Sequence, residues 1–191
     1  MMNRGNHRDD IFKEEEDYSI FLKLLEKVQK QYPFLLISYC LMTNHIHLQI
    51  ETLATPLWQI MRNLLLNYTR YYNEKYNTIG HLFQGRYSCE IIENDAYMLQ
   101  TSRYIHLNPV KARMVANPVE YPWSSYDVYM GKRKYDSLST YKILDYFDDG
   151  SRQLYKEFVE KNRNVEEDMS KEVIKYEEEV DEWRLSAPDS I

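Results

Sequence analysis

The chain is poor in cysteine, glycine and long apolar runs, and each shortage excludes something. Cys40 and Cys89 are its two cysteines, too few for a disulfide framework, and Cys40 lies inside an apolar run, so a reducing compartment is expected. No stretch approaches the roughly 18 consecutive apolar residues that cross a bilayer, and the N-terminus has no apolar signal core. The expectation is a cytoplasmic protein with no membrane partner. Only five glycines, with 43% hydrophobic and 28% charged residues, exclude a fibrous or disordered chain. A length of 191 residues suits one domain plus a tail.

Positive charge is also in short supply. A net charge of −6 argues at face value against nucleic acid, whose phosphates favour a basic surface. The deficit is uneven, however. Residues 151–191 hold seven Lys or Arg against twelve Asp or Glu, which leaves the first 150 residues near neutral. A nucleic-acid partner therefore stays open for the body of the chain.

What the sequence does contain is a strict alternation from His45 to Glu51. On a strand, His45, His47, Gln49 and Glu51 share one face and Ile46, Leu48 and Ile50 the other. Imidazoles two residues apart on a strand stand about 7 Å apart at Cα and can converge on one cation, although a pair does not complete a metal shell. His-x-His is also common and most often idle.

Around this stretch the elements follow in order. Glu14 to Gln31 carries Tyr18, Phe21, Leu22, Leu25 and Val28 at helical spacing and ends before Pro33. Phe34 to Met42 is a continuous apolar run, expected as a central strand, and Thr43-Asn44 turns it into the histidine strand as an antiparallel hairpin. Thr55-Pro56 opens a second helix with Pro at its first position, where Arg62, Asn63, Asn67 and Arg70 collect on one face, as a solvated surface or as phosphate contacts. Arg86 lies among aromatics in Leu82-Phe83-Gln84-Gly85-Arg86-Tyr87, a combination that suits base stacking as well as packing; Ser88 to Glu93 reads as a strand with Gly85 at a bend.

Asn94 or Asp95 caps a third helix expected to end near Asn108, because Pro109 follows. On it Tyr97, Thr101, Tyr104 and Asn108 share one face, and Met98, Ser102 and Ile105 another. His106, about 200° round from Tyr104, reads as a packing residue. Lys111 and Arg113 are candidates for phosphate contact or plain solvated charge. The order gives an α+β sheet with helices on one face and the histidines looking out from the other. From Trp123-Ser124-Ser125-Tyr126 the chain reads as irregular, then helical through Leu154, Phe158 and Val159. A Glu-rich stretch follows, with a narrow stripe of Val173, Tyr176, Val180 and Trp183.

Five segments in order resemble the IS200-like single-tyrosine transposases, and most closely their REP-associated branch. They are Asn-Arg-Gly-Asn-His at 3–7 with Ile11-Phe12, Leu-Met-Thr-Asn-His-Ile-His-Leu at 41–48, Leu-Phe-Gln-Gly-Arg-Tyr at 82–87, Arg-Tyr-Ile-His-Leu-Asn-Pro-Val-Lys-Ala at 103–112, and Trp-Ser-Ser-Tyr at 123–126. The resemblance spans roughly residues 1–160. It implies an HUH nuclease core on a ferredoxin-like (RRM-like) antiparallel sheet. The domain is expected at 1–130 and a helical extension packed on it at 131–164, while composition alone marks an acidic tail at 165–191 with a stripe that allows a helix.

The resemblance also implies residue roles. His45 and His47 match the metal-binding pair, Asn108 the residue that completes the shell for Mg²⁺ or Mn²⁺, and Tyr104 the nucleophile that forms a covalent 5′-phosphotyrosine with single-stranded DNA beside a hairpin. Arg62, Asn63, Arg70, Arg86, Lys111 and Arg113 are the weaker candidates for DNA contact. The implied setting is the bacterial nucleoid, and the state a monomer or homodimer, with a lean to the monomer. Two departures stand out: little strand precedes Asn3-Arg4-Gly5, and Thr43 stands where relatives carry Pro. The competing readings are a hairpin-binding protein that no longer cleaves, and a metal-dependent phosphodiesterase that uses water in place of Tyr104.

Overall fold

The computed structural model describes residues 1–160, so the expected tail at 165–191 and residues 161–164 of the extension lie outside the described residues. A three-stranded antiparallel sheet forms the centre: β1 (Met2–Arg4), β2 (Phe34–Met42) and β3 (His45–Thr52), in the order β1-β3-β2. The two-residue Thr43-Asn44 turn sets the hairpin register, with Met42 opposite His45 and Cys40 opposite His47. The central strand is thus β3, not the apolar run of β2 expected there. Irregular chain covers the outer edge of β2: Leu41 N donates to the Trp123 carbonyl (2.9 Å), Ser125 N to that of Tyr39 (3.0 Å) and Ser139 N to that of Leu36 (2.7 Å). Such cover explains how a strand at a sheet's margin can be almost wholly buried and read as continuously apolar.

The strand expected over Ser88–Glu93 does not form. The chain there touches β1 only where Ser88 exchanges backbone hydrogen bonds with Met2, and just before it Phe83 pairs with Gly5 beyond the end of β1. β1 offers three residues to pair with, and Gly85 at φ +148 bends the approaching chain. Ile91 and Ile92 are adjacent rather than alternating, and Ile91 stays exposed.

Helices α1 (Glu15–Gln31) and α2 (Leu57–Tyr76) pack on the face carrying Ile46 and Leu48, burying Phe21, Leu25, Ile60, Leu64 and Tyr68. Glu14 caps α1, and Pro56 stands as the cap just before α2 rather than inside it. Asp17 ties the two helices together. Its buried carboxylate accepts from the backbone of Lys13 and Glu14, from Lys75 Nζ (2.8 Å), and from the hydroxyls of Tyr71 (2.9 Å) and Tyr76 (2.7 Å). Burial alone would raise its pKa; these donors outweigh that and bring it down to about 2.

Helix α3 (Asp95–Lys111) lies across the sheet's other face, the one with the histidines, so the expectation of helices on one face holds for α1 and α2 alone. The Asn94 side chain accepts from Tyr97 N and caps it. α3 also outruns its expected end at Asn108. Pro109 sits inside the helix, and the turn survives because Ala112 N donates to Asn108 O and Met114 N to Pro109 O (both 2.9 Å). Ile105 packs under α3 against Cys40 and Met42. Beyond α3 come two four-residue helices, α4 (Tyr126–Tyr129) and α5 (Tyr141–Leu144), and then α6 (Arg152–Glu160), whose Tyr155 and Val159 are fully buried while Leu154 is exposed. No helix among the described residues is long and apolar enough to cross a membrane.

Candidate active site

The alternation of β3 puts His45 and His47 side by side beneath α3, with ring centroids 4.9 Å apart. The Tyr104 ring stands edge-on to His47 at 5.7 Å. Asn108, one turn further along α3, donates Nδ2 to the Tyr104 carbonyl (2.9 Å), which leaves its amide oxygen as the end free for another role. The buried side chain of Gln49 fixes the N-terminal half of the helix: its Nε2 donates to the Met98 carbonyl (3.0 Å) and its Oε1 accepts from Ser38 (2.8 Å).

Both imidazoles are held neutral. Burial, together with the Arg4 guanidinium, pushes the pKa of His45 down to about 4. Burial also pushes His47 well below its ordinary value, helped by His45, the chain's amino terminus, Arg4 and Lys111. His45 Nδ1 lies 2.7 Å from Asn44 Oδ1, and the Asn44 amide in turn donates to the Arg8 carbonyl (3.2 Å). With Oδ1 as the acceptor, the proton sits on Nδ1 of His45 and the lone pair on Nε2. His47 Nε2 is buried and has no hydrogen-bond partner. An unpaired buried nitrogen next to a second available imidazole lone pair could offer a divalent cation two donors, and the Asn108 amide oxygen on the facing helix is a candidate third. Among the described residues no three His, Cys, Asp or Glu side chains gather into a metal cluster.

A cavity of about 560 Å³ opens beside this group, walled by His47, Gln49, Tyr104, Thr101, Arg4 and Arg86. Met98 and Ile105 line it together with Tyr97 and Tyr104, so the two helix faces separated by sequence spacing merge into one wall. Tyr97 donates its hydroxyl to Glu90. Lys111 carries its ammonium 4.6 Å from the centre of the Tyr104 ring. Of the six weaker candidates, Arg86 and Lys111 therefore reach the site. Arg62, Asn63 and Arg70 stand on α2 across the sheet, where Asn63 donates to the Gln59 carbonyl of its own helix (2.9 Å), and Arg113 occupies a left-handed turn position (φ +57) just past α3. Arg4 escaped the reading of the sequence as a site residue. Its place opposite His45 comes from the pairing of β1 with β3, and the one available signal was its presence in the Asn-Arg-Gly block.

The site is thus an imidazole pair on the α3-covered face of an antiparallel sheet, with a tyrosine presented to it by that helix. Comparison with known proteins gives the family. The sequence model described as "Transposase IS200 like" matches residues 1–108, more than half of the chain, and the protein belongs to that family. Among solved structures, a REP-associated tyrosine transposase bound to a REP hairpin is similar in fold, with a TM-score of 0.58 and 18% identity over 71% of this chain and 79% of that one. No curated protein matches the chain.

Proposed function

We propose that this transposase-family protein is a single-stranded DNA endonuclease and strand transferase that cuts beside a DNA hairpin through a covalent bond to Tyr104. The observation that carries the reading is the approach of Tyr104 to within 5.7 Å of His47, over an imidazole pair with an unpaired buried nitrogen. The phenolic oxygen attacks the phosphorus of the scissile phosphodiester, the bond to the 3′ oxygen breaks, and a 5′-phosphotyrosine forms while the proton leaves the phenol and a 3′-OH is released. The bond energy is kept in the adduct, so a second 3′-OH can reverse the step at a new junction without a nucleotide cofactor.

His45, His47 and Asn108 would hold Mg²⁺ or Mn²⁺. Such an ion, when bound, supplies a Lewis acid for a non-bridging phosphate oxygen. The chain's own contribution is position and charge. Gln49 and the packing of Ile105 hold α3 on the sheet, Lys111 brings a cation to the ring whose oxygen gains charge, and Arg4 and Arg86 line the approach for the phosphate backbone. The REP hairpin in the structural neighbour supports hairpin DNA as the substrate class.

The test is Tyr104→Phe with a labelled hairpin oligonucleotide and Mn²⁺. The wild type is expected to give a protein–DNA adduct of reduced mobility on a denaturing gel, and the variant to bind the same hairpin equally well without forming one. Persistence of the adduct in Tyr104→Phe would move the nucleophile to Tyr97; binding without cleavage in the wild type would favour a hairpin-binding protein.

A further inference from the structure

On the far side of α3 from Tyr104, a buried polar chain joins four segments. His106 Nδ1 lies 2.7 Å from the Tyr155 hydroxyl of α6, and its Nε2 lies 2.7 Å from Ser125 Oγ. Tyr155 also meets Ser102 Oγ at 2.7 Å. Ser125 Oγ accepts from Tyr39 N (2.9 Å) and donates to Tyr39 O (3.2 Å), so the chain ends on the backbone of β2, one residue from Cys40, which pairs with His47. Ser102, His106 and Ser125 are buried, and the imidazole is caged by the rings of Tyr126 (5.3 Å) and Tyr129 (5.1 Å).

Polar side chains in such a cage are an unexpected choice if packing is the sole need. A leucine would fill the space without desolvating an imidazole and three hydroxyls. What the polar chain adds is direction. Each bond length and angle restricts where α3 sits relative to β2, which apolar contacts do only loosely. His106 lies two residues from both Tyr104 and Asn108, so it grips the helix on the side opposite the two groups that face the histidine pair.

The lever arm makes the grip matter. A tyrosine hydroxyl stands about 9 Å from the helix axis, so a 20° roll of α3 displaces it by about 3 Å. A misplacement of about 1 Å can slow a reaction by about 100-fold.

We propose that His106 is a positioning residue: clamped between Ser125 and Tyr155, it sets the roll of α3 and with it the places of the Tyr104 hydroxyl and the Asn108 amide over the histidine pair. The inference rests on the function proposed above and adds to it a residue that touches neither DNA nor metal.

The test compares His106→Leu, His106→Gln and Tyr155→Phe with the wild type by circular dichroism, hairpin binding, adduct formation at saturating DNA, and Mn²⁺ affinity from titration of the free-ion electron paramagnetic resonance signal. His106→Leu is expected to stay folded and to bind hairpin DNA with unchanged affinity, to form adduct about 10-fold to 100-fold more slowly, and to bind Mn²⁺ several-fold more weakly. His106→Gln, which can still donate to Ser125, should recover much of both losses. Tyr155→Phe keeps the ring and removes the other anchor, and it decides the matter if His106→Leu does not fold. Wild-type adduct rate and Mn²⁺ affinity in the folded variants would overturn the proposal, as would equal losses in the Leu and Gln variants. A wild type that forms no adduct would instead sink the function proposed above, and Mn²⁺ affinity alone would then judge the role of His106.

Discussion

Lys111 holds its ammonium over the Tyr104 ring and Arg86 stands in the cavity wall, whereas Arg62 projects from α2 on the other side of the sheet. Side chains of equal charge should therefore differ in effect. Lys111→Ala and Arg86→Ala are each expected to weaken hairpin binding and to lower the slope of log affinity against log salt by about 1, the loss of one phosphate contact. Arg62→Ala should leave both unchanged, and fluorescence anisotropy across a salt series would show a comparable loss there if α2 carries DNA instead. For the histidine pair, His47→Ala should abolish Mn²⁺ binding in a calorimetric titration without lowering stability, because the imidazole it removes is buried with an unpaired nitrogen. Retained Mn²⁺ affinity in that variant would place the cation elsewhere. That His45 and His47 share one strand face, and Tyr104 and Asn108 one helix face, was legible in the sequence because each follows from a local period, two on a strand and about 3.6 on a helix; the roles proposed for them come from the family resemblance. Arg4 was not, since its nearness to His45 depends on pairing between segments some 40 residues apart.

Among the elements, α1 and α2 meet around the Asp17 carboxylate, and their junction should respond to acid. With its folded pKa down near 2 against an ordinary 3.8, Asp17 contributes about 2 kcal/mol to stability, present in full above pH 4 and lost as pH falls toward 2. Asp17→Asn should cost roughly that amount in urea unfolding at pH 7, and the gap between variant and wild type should close near pH 2; a constant gap would show that packing, not charge, joins the helices. The amphipathic periods of α1 and α2 and the hairpin of β2 with β3 were readable because each is decided by neighbours in sequence. The missing strand at Ser88–Glu93 and the passage of α3 through Pro109 were not. The first depends on how few residues β1 can offer, and the second on hydrogen bonds made by residues beyond the proline. The cover over β2 likewise comes from Trp123–Ser125 and Ser139, far along the chain, so an apolar run alone could not tell a central strand from a covered margin.

For the whole molecule, charge is divided between a nearly neutral body and an acidic end. Residues 165–191 hold ten Asp or Glu against three Lys or Arg. Removing them is expected to leave cleavage intact and to tighten hairpin binding below about 0.1 M salt, where repulsion across more than 10 Å is still unscreened. An insoluble or inactive truncation would show that the segment serves the body of the protein.

The link between Asn108 and the Tyr104 carbonyl spans a single turn of one helix. On the proposed assignment, that turn carries both the residue that cuts and a residue that holds the ion needed for cutting. A movement of α3 that withdrew the phenol would loosen the ion in the same stroke, and neither could act without the other. An enzyme with the proposed cutting activity would thus have a built-in interlock, because arming the site and loading it would be one event.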